Sequence, residues 1–137
     1  HRYSQPFMEP VDPVELQIPD YFDIIKHPMD LGTVSDRLVA GEYISSTDFS
    51  ADVLLVFSNA CRYNPPGNIV YKMAEEMRKF FLERMKSIEE REKKKRDKLD
   101  GGVNALADSI NSVQAEIEKL LGREDKETEK INTNLPQ

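Results

Sequence analysis

The sequence predicts an all-α fold, a bundle of helices that follow one long loop. Glycine is scarce, with 6 in 137 residues, and runs of strand-forming residues are few. After residue 30, apolar residues recur at spacings of three and four, which is the period of an amphipathic helix. Hydrophobic residues make up 39% of the chain. That is enough for one modest core, so we expect one domain with an appendage.

Residues 5–30 are predicted to form the long loop. Prolines interrupt the stretch so often that no ordinary helix fits between them, and they are Pro6, Pro10, Pro13, Pro19 and Pro28. The stretch is also rich in apolar residues and must pack against something, and long ordered loops are usually functional. The segment from Asp20 to Lys26 can hold a short helix with Asp20 as its N-cap.

Two helices are predicted next. The first runs from Leu31 to Ala40, and Gly41 ends it, because glycine readily adopts the left-handed conformation after a helix. The second has Ser46 or Thr47 as its cap and runs to about Tyr63, with apolar positions again three and four apart.

A third helix begins near Asn68, after a break made by Asn64, Pro65, Pro66 and Gly67. Its buried stripe is expected to contain Val70, Met73, Met77, Phe80, Phe81, Met85 and Ile88. Past Ile88 the stripe gives way to a charged run over residues 89–98. This run indicates a solvated helix end, and the alternative is a nuclear-localisation signal at residues 93–96.

Asp100, Gly101 and Gly102 predict a turn, and a fourth amphipathic helix is expected from Val103 to Leu121 with Gly122 as its cap. Its heptad stripe lasts under three heptads, which is short for an independent coiled coil. The polar residues 123–137 are expected to be disordered. The predicted organisation is therefore a main domain at 1–98, a turn and amphipathic helix at 99–122, and a tail.

Composition argues against several classes of function. The net charge is −6 and the pI about 5.0, so direct nucleic-acid binding is not expected, because phosphate contacts need clustered Lys and Arg. One cysteine, Cys61, permits no internal disulfide and fits a reducing compartment. No signal peptide is seen, and no apolar run reaches the roughly 18 residues of a membrane helix. No catalytic grouping, metal-ligand spacing or phosphate-binding glycine loop occurs, so we expect no enzyme, metal or cofactor.

Three separate motifs carry a family resemblance. They are PFMEPVD (residues 6–12), IPDYFDIIKHPMDLGTV (residues 18–34) and FSNACRYNPPG (residues 57–67). In order and spacing they resemble the bromodomain signature, closest to the bromodomain and extra-terminal (BET) group, over roughly residues 5–90. The resemblance implies a left-handed four-helix bundle with a ligand pocket at one end, shaped by the loop at 5–30 and the break at 64–68.

The resemblance also implies roles for individual residues. Asn64 corresponds to the asparagine that donates a hydrogen bond to an acetyl carbonyl, Tyr21 to the tyrosine that reaches it through a water, and Tyr63 to the residue before the asparagine. The apolar pocket residues implied are Pro6, Phe7 (floor), Val11, Leu16 and Ile18 (walls) and Val70 (entrance). From the residues alone, the better explanation of Asn64 is a helix-ending turn residue. The alternatives for the others are a loop aromatic that covers the core for Tyr21, plain core for the walls, and core as much as entrance for Val70.

The implied function is to bind acetylated lysine in histone tails, in the nucleus, as part of chromatin and transcription regulation. Acetyl-lysine is neutral, and we expect no carboxylate waiting in the channel to accept an unmodified lysine. Around the mouth, acidic residues without any Lys or Arg between Phe7 and Ile25 are expected to steer a basic peptide. The alternative is a helical assembly module with an inactive pocket, which self-associates through residues 103–121.

The sequence departs from the family pattern at its start. A tryptophan precedes the Pro-Phe pair in the BET group, whereas this chain has Gln5, which alters the shelf beside the pocket. The long first helix of the family is missing before Pro6, and the chain does not begin with Met, so it is expected to be a fragment. The predicted helix at 103–121 is hypothesised to fill the vacant position, from the same chain or from a partner, and exposed Ile110 and Ile117 in a monomer would contradict this.

Overall fold

The structure is a computed structural model that describes the backbone of residues 1–133 and the side chains of residues 1–122. The described residues contain helices and no strand, which confirms the predicted all-α fold. The elements are the 3₁₀ helix η1 (Gln5–Phe7) and the α-helices α1 (Tyr21–Ile24), α2 (Leu31–Val39), α3 (Ser46–Tyr63) and α4 (Ile69–Thr133). None of the helices, as far as they are described, is long and apolar enough to cross a membrane.

The chain divides into two units, His1–Lys86 and the residues from Ser87 onward. The first unit holds the core, in which loop residue Phe7 packs edge-on against Phe57 of α3 at a ring distance of 5.5 Å. The other buried members of this core come from α2, α3 and the first turns of α4, and they are Val34, Val53, Val56, Ala74 and Met77. The long loop is therefore part of the core rather than a cover over it.

Helix α2 begins at the predicted Leu31 and ends at Val39, one residue before the predicted Ala40. At its start, the buried carboxylate of Asp30 accepts a hydrogen bond from the backbone N of Thr33 at 2.9 Å, which satisfies one of the free N–H groups of the first turn. After its end, Gly41 has a φ of 71°, a left-handed conformation that glycine adopts without steric cost.

Helix α3 is capped by Ser45 rather than by the predicted Ser46 or Thr47. The Ser45 hydroxyl accepts a hydrogen bond from the backbone N of Asp48 at 3.2 Å, three residues on, which is the usual capping geometry. Three neighbouring hydroxyl residues make the choice of cap ambiguous in the sequence. Asp52 of α3 then joins α3 to α2, since it accepts from Arg37 at 3.0 Å.

The long loop is ordered by hydrogen bonds to the helices around it. The backbone N of Gly32 donates to the carbonyl oxygen of Met8 at 3.0 Å, and a Cβ at position 32 would lie 2.5 Å from that oxygen. The buried side chain of Asn59 donates to the carbonyl of His27 at 2.8 Å. Asp20 is the N-cap residue of the short helix α1, as predicted, but its side chain makes no cap hydrogen bond.

The predicted turn at residues 100–102 is wrong, because α4 continues without interruption from Ile69 to Thr133. Two glycines cost about 1 kcal/mol each in a helix interior, but strong helix formers lie on both sides, Lys98 and Leu99 before them and Ala105 to Ala107 after them, and no proline intervenes before residue 136. Gly122 does not end the helix either. The sequence predicts a tail that is disordered from residue 123, but its backbone is helical up to Thr133. Residues 134–137 of the predicted tail lie outside the described residues.

The first unit has an open apolar groove, as expected if the faces covered by a first helix lie open. The groove has a volume of about 320 Å³ and is lined by residues of α2, α3 and α4, among them Leu38, Phe49 and Phe80. Ile110 and Ile117 are 57% and 52% exposed in the single chain. This is the outcome that contradicts filling by residues 103–121 of the same chain.

Candidate functional site

A cavity of about 350 Å³ lies where the long loop meets the end of α3 and the start of α4. The structure brings all nine residues singled out in the sequence to this one cavity: Pro6, Phe7, Val11, Leu16, Ile18, Tyr21, Tyr63, Asn64 and Val70. They come from η1, the loop after it, α1, the end of α3 and the start of α4. Their meeting makes the cavity the candidate binding site of the molecule.

Asn64 lies at the C-terminal end of α3, and the chain turns extended there, with a φ of −93° and a ψ of 137°. The following Pro65 disfavours a helical conformation at Asn64, which explains why the helix ends at this residue. The side-chain Nδ2 of Asn64 donates to the carbonyl of Ala60 at 3.0 Å. This bond fixes the amide, and because an amide nitrogen carries two hydrogens, a second N–H is left to offer a ligand.

Tyr21 is buried on α1, and its ring packs edge-on against the ring of Tyr63 at 5.1 Å. Burial raises the pKa of Tyr21 above its ordinary value of 10.0, because the charged phenolate is poorly solvated there. The hydroxyl is protonated at neutral pH, as that of an ordinary tyrosine is, and can donate a hydrogen bond to a water or a ligand.

Tyr63 connects α3 to the loop through a second interaction. Its hydroxyl donates to the Asp20 carboxylate at 2.7 Å, and this hydrogen bond is the main reason that the pKa of Tyr63 is raised. The Asp20 side chain is thus used as an acceptor for Tyr63 instead of for a cap hydrogen bond. The pair holds the short helix that carries Tyr21 against the end of α3.

The apolar side of the cavity is formed by the loop. Phe7 is buried, Val11 and Ile18 are half-buried, and Leu16 is 58% exposed at the rim. Between Leu16 and Ile18, Gln17 adopts a φ of 56°, a left-handed conformation that is uncommon outside glycine. This local conformation, together with the bond from the backbone N of Ile18 to the Pro13 carbonyl at 2.9 Å, directs the chain along the cavity.

Five further residues line the cavity that the sequence did not single out: Glu9, Met29, Asp30, Val56 and Ala60. Val56 and Ala60 precede Asn64 by eight and four residues, so helical periodicity places them on the same face of α3. Counting back from Asn64 along α3 would have found both residues.

The expectation that no carboxylate waits in the channel needs correction, because Glu9 and Asp30 both line it. Asp30 is buried, but its two oxygens already accept from the hydroxyl and the backbone N of Thr33. Glu9 is exposed, so water screens its charge. Gln5, which replaces the tryptophan of the BET pattern, is exposed and does not line the cavity.

Nothing in the described residues groups three or more His, Cys, Asp or Glu side chains around a metal-sized space. The site as described consists of one carboxamide, two tyrosine hydroxyls, the carboxylates of Glu9 and Asp30, and an apolar channel. Such a set can hold a neutral, partly aliphatic ligand by one or two hydrogen bonds.

Comparison with known proteins gives a consistent picture. The bromodomain family model matches residues 1–76 of the chain. The chain is 57% identical over 91 residues to Transcription factor GTE10 of Arabidopsis thaliana, and the aligned residues cover 66% of this chain and 9% of that protein. It is 45% identical over 82 residues to the SWR1 complex bromodomain subunit bdf1 of Schizosaccharomyces pombe, 60% of this chain and 14% of that protein.

A third similarity extends along the whole chain. Transcription factor GTE1 of Arabidopsis thaliana is 35% identical over 146 aligned residues, which cover 100% of this chain and 38% of that protein. The chain thus spans between about a tenth and two fifths of the length of these curated relatives.

Proposed function

The chain belongs to the bromodomain family, and from this premise we propose that its cavity binds acetylated lysine, with Asn64 as the main polar contact. The observation that carries the proposal is the meeting of Asn64, Tyr21 and an apolar channel in one cavity of about 350 Å³. A reader of this kind binds its ligand and performs no chemistry, so the function requires no catalytic group.

Acetyl-lysine matches the cavity in its two parts. The aliphatic stem gains about 25 cal/mol for each Å² of apolar surface that it buries in the channel. The acetyl carbonyl would cost about 1–3 kcal/mol if it were buried without a donor. The second N–H of Asn64 supplies that donor, and its direction is fixed in advance by the bond to Ala60.

Tyr21 is proposed to act through a bound water. Its hydroxyl is protonated at neutral pH, as that of an ordinary tyrosine is, and burial raises its pKa further, so it can donate to a water that donates in turn to the acetyl carbonyl. Tyr63 is proposed to position Tyr21 by ring packing rather than to contact the ligand through its hydroxyl, which is already bound to Asp20.

Selection against unmodified lysine is proposed to follow from desolvation. An ammonium group in the channel would lose its hydration, and burying an unpaired charge is costly. Glu9 offers a partial counter-charge, but exposed ion pairs contribute only about 0–1 kcal/mol. We therefore expect clear preference for the acetylated form, with a modest contribution from Glu9 to residual binding of lysine.

The rim favours a basic peptide as the natural ligand. The acidic residues between Phe7 and Ile25 are Glu9, Asp12, Glu15, Asp20 and Asp23, all of them exposed. No Lys or Arg lies between Phe7 and Ile25, so the potential around the mouth is negative and steers cationic peptides toward it. Acetylated histone tails have this chemistry, and a role in chromatin and transcription regulation in the nucleus follows as part of the proposal.

A second candidate is a helical assembly module whose pocket is inactive. The observation that favours it is the uncovered apolar face of residues 103–121, on which Ile110 and Ile117 are more than half exposed. The two functions are separable by experiment, because peptide binding reports on the cavity and molecular mass reports on assembly.

The test is a calorimetric titration of acetylated and unacetylated histone-tail peptides into the whole chain. We expect binding of the acetylated peptide and a loss of about five- to 150-fold with Asn64→Ala, since a lost hydrogen bond to a buried carbonyl costs on the order of 1–3 kcal/mol. Asn111→Ala, an exposed asparagine outside the first unit, is the matched control. A folded chain that binds neither peptide, or both equally, would contradict the proposal.

A further inference from the structure

The helix from Ser87 onward leaves a long apolar stripe uncovered. Every side chain from Ser87 to Gly122 is exposed, and seven large apolar ones among them, spaced alternately four and three residues apart, are between 52% and 69% exposed. These seven are Leu99, Val103, Leu106, Ile110, Val113, Ile117 and Leu120. Helices in proteins gain most of their stability by packing an amphipathic face, so we expect a partner to cover this face.

The stripe is longer than the sequence pattern suggested. Because α4 does not turn at residues 100–102, Leu99 stays in phase with Val103 and the positions after it. The spacing alternates four and three from Leu99 to Leu120 without a break. This is the heptad repeat of a coiled coil over about three heptads of continuous helix.

The residue types along the stripe specify the number of strands. In heptad notation, the a positions carry β-branched residues, and the d positions carry leucine in all cases but one. The a positions are Val103, Ile110 and Ile117, and the d positions are Leu99, Leu106, Val113 and Leu120. β-Branched residues at a with leucine at d favour two parallel strands over three or four.

Two apolar depressions along the stripe have the outline of holes for partner side chains. One, of about 470 Å³, includes Leu99, Gly102, Val103 and Leu106, which are successive d, g, a and d positions. The other, of about 340 Å³, includes Ile110, Val113, Gln114 and Ile117, which are successive a, d, e and a positions.

These two sets correspond to the two kinds of hole in a parallel, in-register pair. A knob at an a position enters a d-g-a-d hole, and a knob at a d position enters an a-d-e-a hole. Val103 of a second copy fits the first set, and Val113 of a second copy fits the second. The residue pattern along the stripe is therefore the one that a parallel, in-register pair of copies requires.

The flanking charges agree with the same arrangement. Lys95 is at a g position and Asp100 at the e position of the next heptad, and these two positions face each other across a parallel, in-register pair. Their charges are opposite, so the pair is attractive on both sides of the two-fold axis. None of the remaining facing g and e positions within residues 95–121 brings two like charges together.

We propose that residues 99–120 form a parallel, in-register, two-stranded coiled coil with a second copy of this chain. The interface is independent of acetyl-lysine binding and of the cavity. It joins two candidate binding sites in one molecule, so that peptides carrying two acetylated lysines are bound with avidity where the spacing allows it.

The first test measures the mass of the whole chain by sedimentation equilibrium across the micromolar range. The expected result is twice the chain mass for the unaltered protein and for Ala115→Lys, a control at an f position on the opposite face of the helix. Ile110→Lys, at the central a position, is expected to give the monomer mass, because it places a charge in the seam. A monomer or trimer for the unaltered chain, or a dimer that survives Ile110→Lys, would overturn the proposal.

The second test addresses direction and register by cross-linking. Cys61, the single cysteine, is replaced in Cys61→Ser, and Leu106→Cys then introduces one thiol at a d position, with Ser112→Cys at a c position as control. Mild oxidation is expected to link Leu106→Cys into a disulfide dimer and to leave Ser112→Cys unlinked. A dimeric mass without a cross-link at 106 would overturn the parallel arrangement. Asn64→Ala is expected to keep the dimer mass, which separates failure of this proposal from failure of the reader.

Discussion

The residues up to Lys86 and the residues from Ser87 onward differ in what their helices bury. In the first unit, Phe57 and Ile25 are almost fully enclosed, and α4 contributes Ala74 and Met77 to the core. In the second unit, the same helix carries an equally regular apolar stripe, and every described side chain on it is exposed. The comparison teaches that periodicity identifies the face of a helix that seeks a partner, while the location of that partner depends on the rest of the molecule.

The largest expected effect is on the free energy of unfolding, and it is found by truncating one large apolar side chain in each unit. Phe57→Ala, at a residue that is 1% exposed, is expected to lower the free energy of unfolding by about 3–5 kcal/mol, because it leaves a cavity in the core. Ile110→Ala is expected to change the unfolding of the first unit by less than about 0.5 kcal/mol. Denaturant unfolding followed by near-ultraviolet circular dichroism, which reports on the aromatic core, measures both. Equal losses would show that the two units share one core.

The next effect concerns one glycine in a close contact. Gly32→Ala would place a Cβ 2.5 Å from the Met8 carbonyl oxygen, and neither backbone segment can yield without moving the loop. We expect a loss of about 1–3 kcal/mol in the free energy of unfolding and weaker binding of acetylated peptide, both measurable on the same protein sample. Retained stability with unchanged peptide affinity would mean that the loop is free to shift.

The matched glycine in the second unit is expected to respond in the opposite direction. A Cβ at Gly101 meets nothing within 4 Å, and alanine is favoured over glycine in a helix interior by about 1 kcal/mol. Gly101→Ala should therefore raise the helical signal in far-ultraviolet circular dichroism and strengthen self-association. A fall in helical content would indicate that the glycine pair bends or breaks the helix in solution.

The smallest expected effect is a dependence of stability on alkaline pH that comes from tyrosines of the first unit, since all five tyrosines precede residue 87. Burial raises the pKa of Tyr21, and the hydrogen bond to Asp20 raises that of Tyr63, both from 10.0. The folded state therefore holds these protons more tightly than the unfolded state. The resulting stability is fully present below pH 10 and is lost as the pH rises through the folded pKa values.

Spectrophotometric titration of the phenolates, with Asp20→Asn alongside, tests this pH dependence. Replacing the carboxylate by an amide is expected to move the titration of Tyr63 back toward 10.0, and Tyr21 is expected to remain raised. An unchanged titration curve would show that the hydrogen bond between Tyr63 and Asp20 does not persist in solution.

The parts of the fold that the sequence predicts well are those governed by local backbone chemistry. Proline after Asn64 restricts that residue to an extended conformation, so the end of α3 could be placed to the residue. Gly41 ends α2 with a positive φ for the equally local reason that glycine lacks a Cβ. Clustering of the nine cavity residues followed from motif resemblance, because no local rule connects Leu16 to Val70.

The parts that the sequence predicts poorly depend on competition between interactions. Asp20 has the chemistry of a cap, but its carboxylate is occupied by Tyr63, which is 43 residues away. The pair Gly101 and Gly102 resembles a turn, and the helix-forming residues on both sides outweigh it. Asn59 shows no signal in the sequence at all, because its partner is a backbone carbonyl, that of His27, and any residue can provide one.

The long loop of the first unit is fastened at three separated points, by Met8 to Gly32, by Asp20 to Tyr63 and by His27 to Asn59. Ordering each residue of a free loop costs on the order of 1–2 kcal/mol in conformational entropy. Here the loss occurs when the protein folds, before any peptide arrives. A ligand that enters the cavity therefore meets walls already in place, and its association should show little coupled ordering of the protein, with a rate set by encounter rather than by rearrangement of the loop.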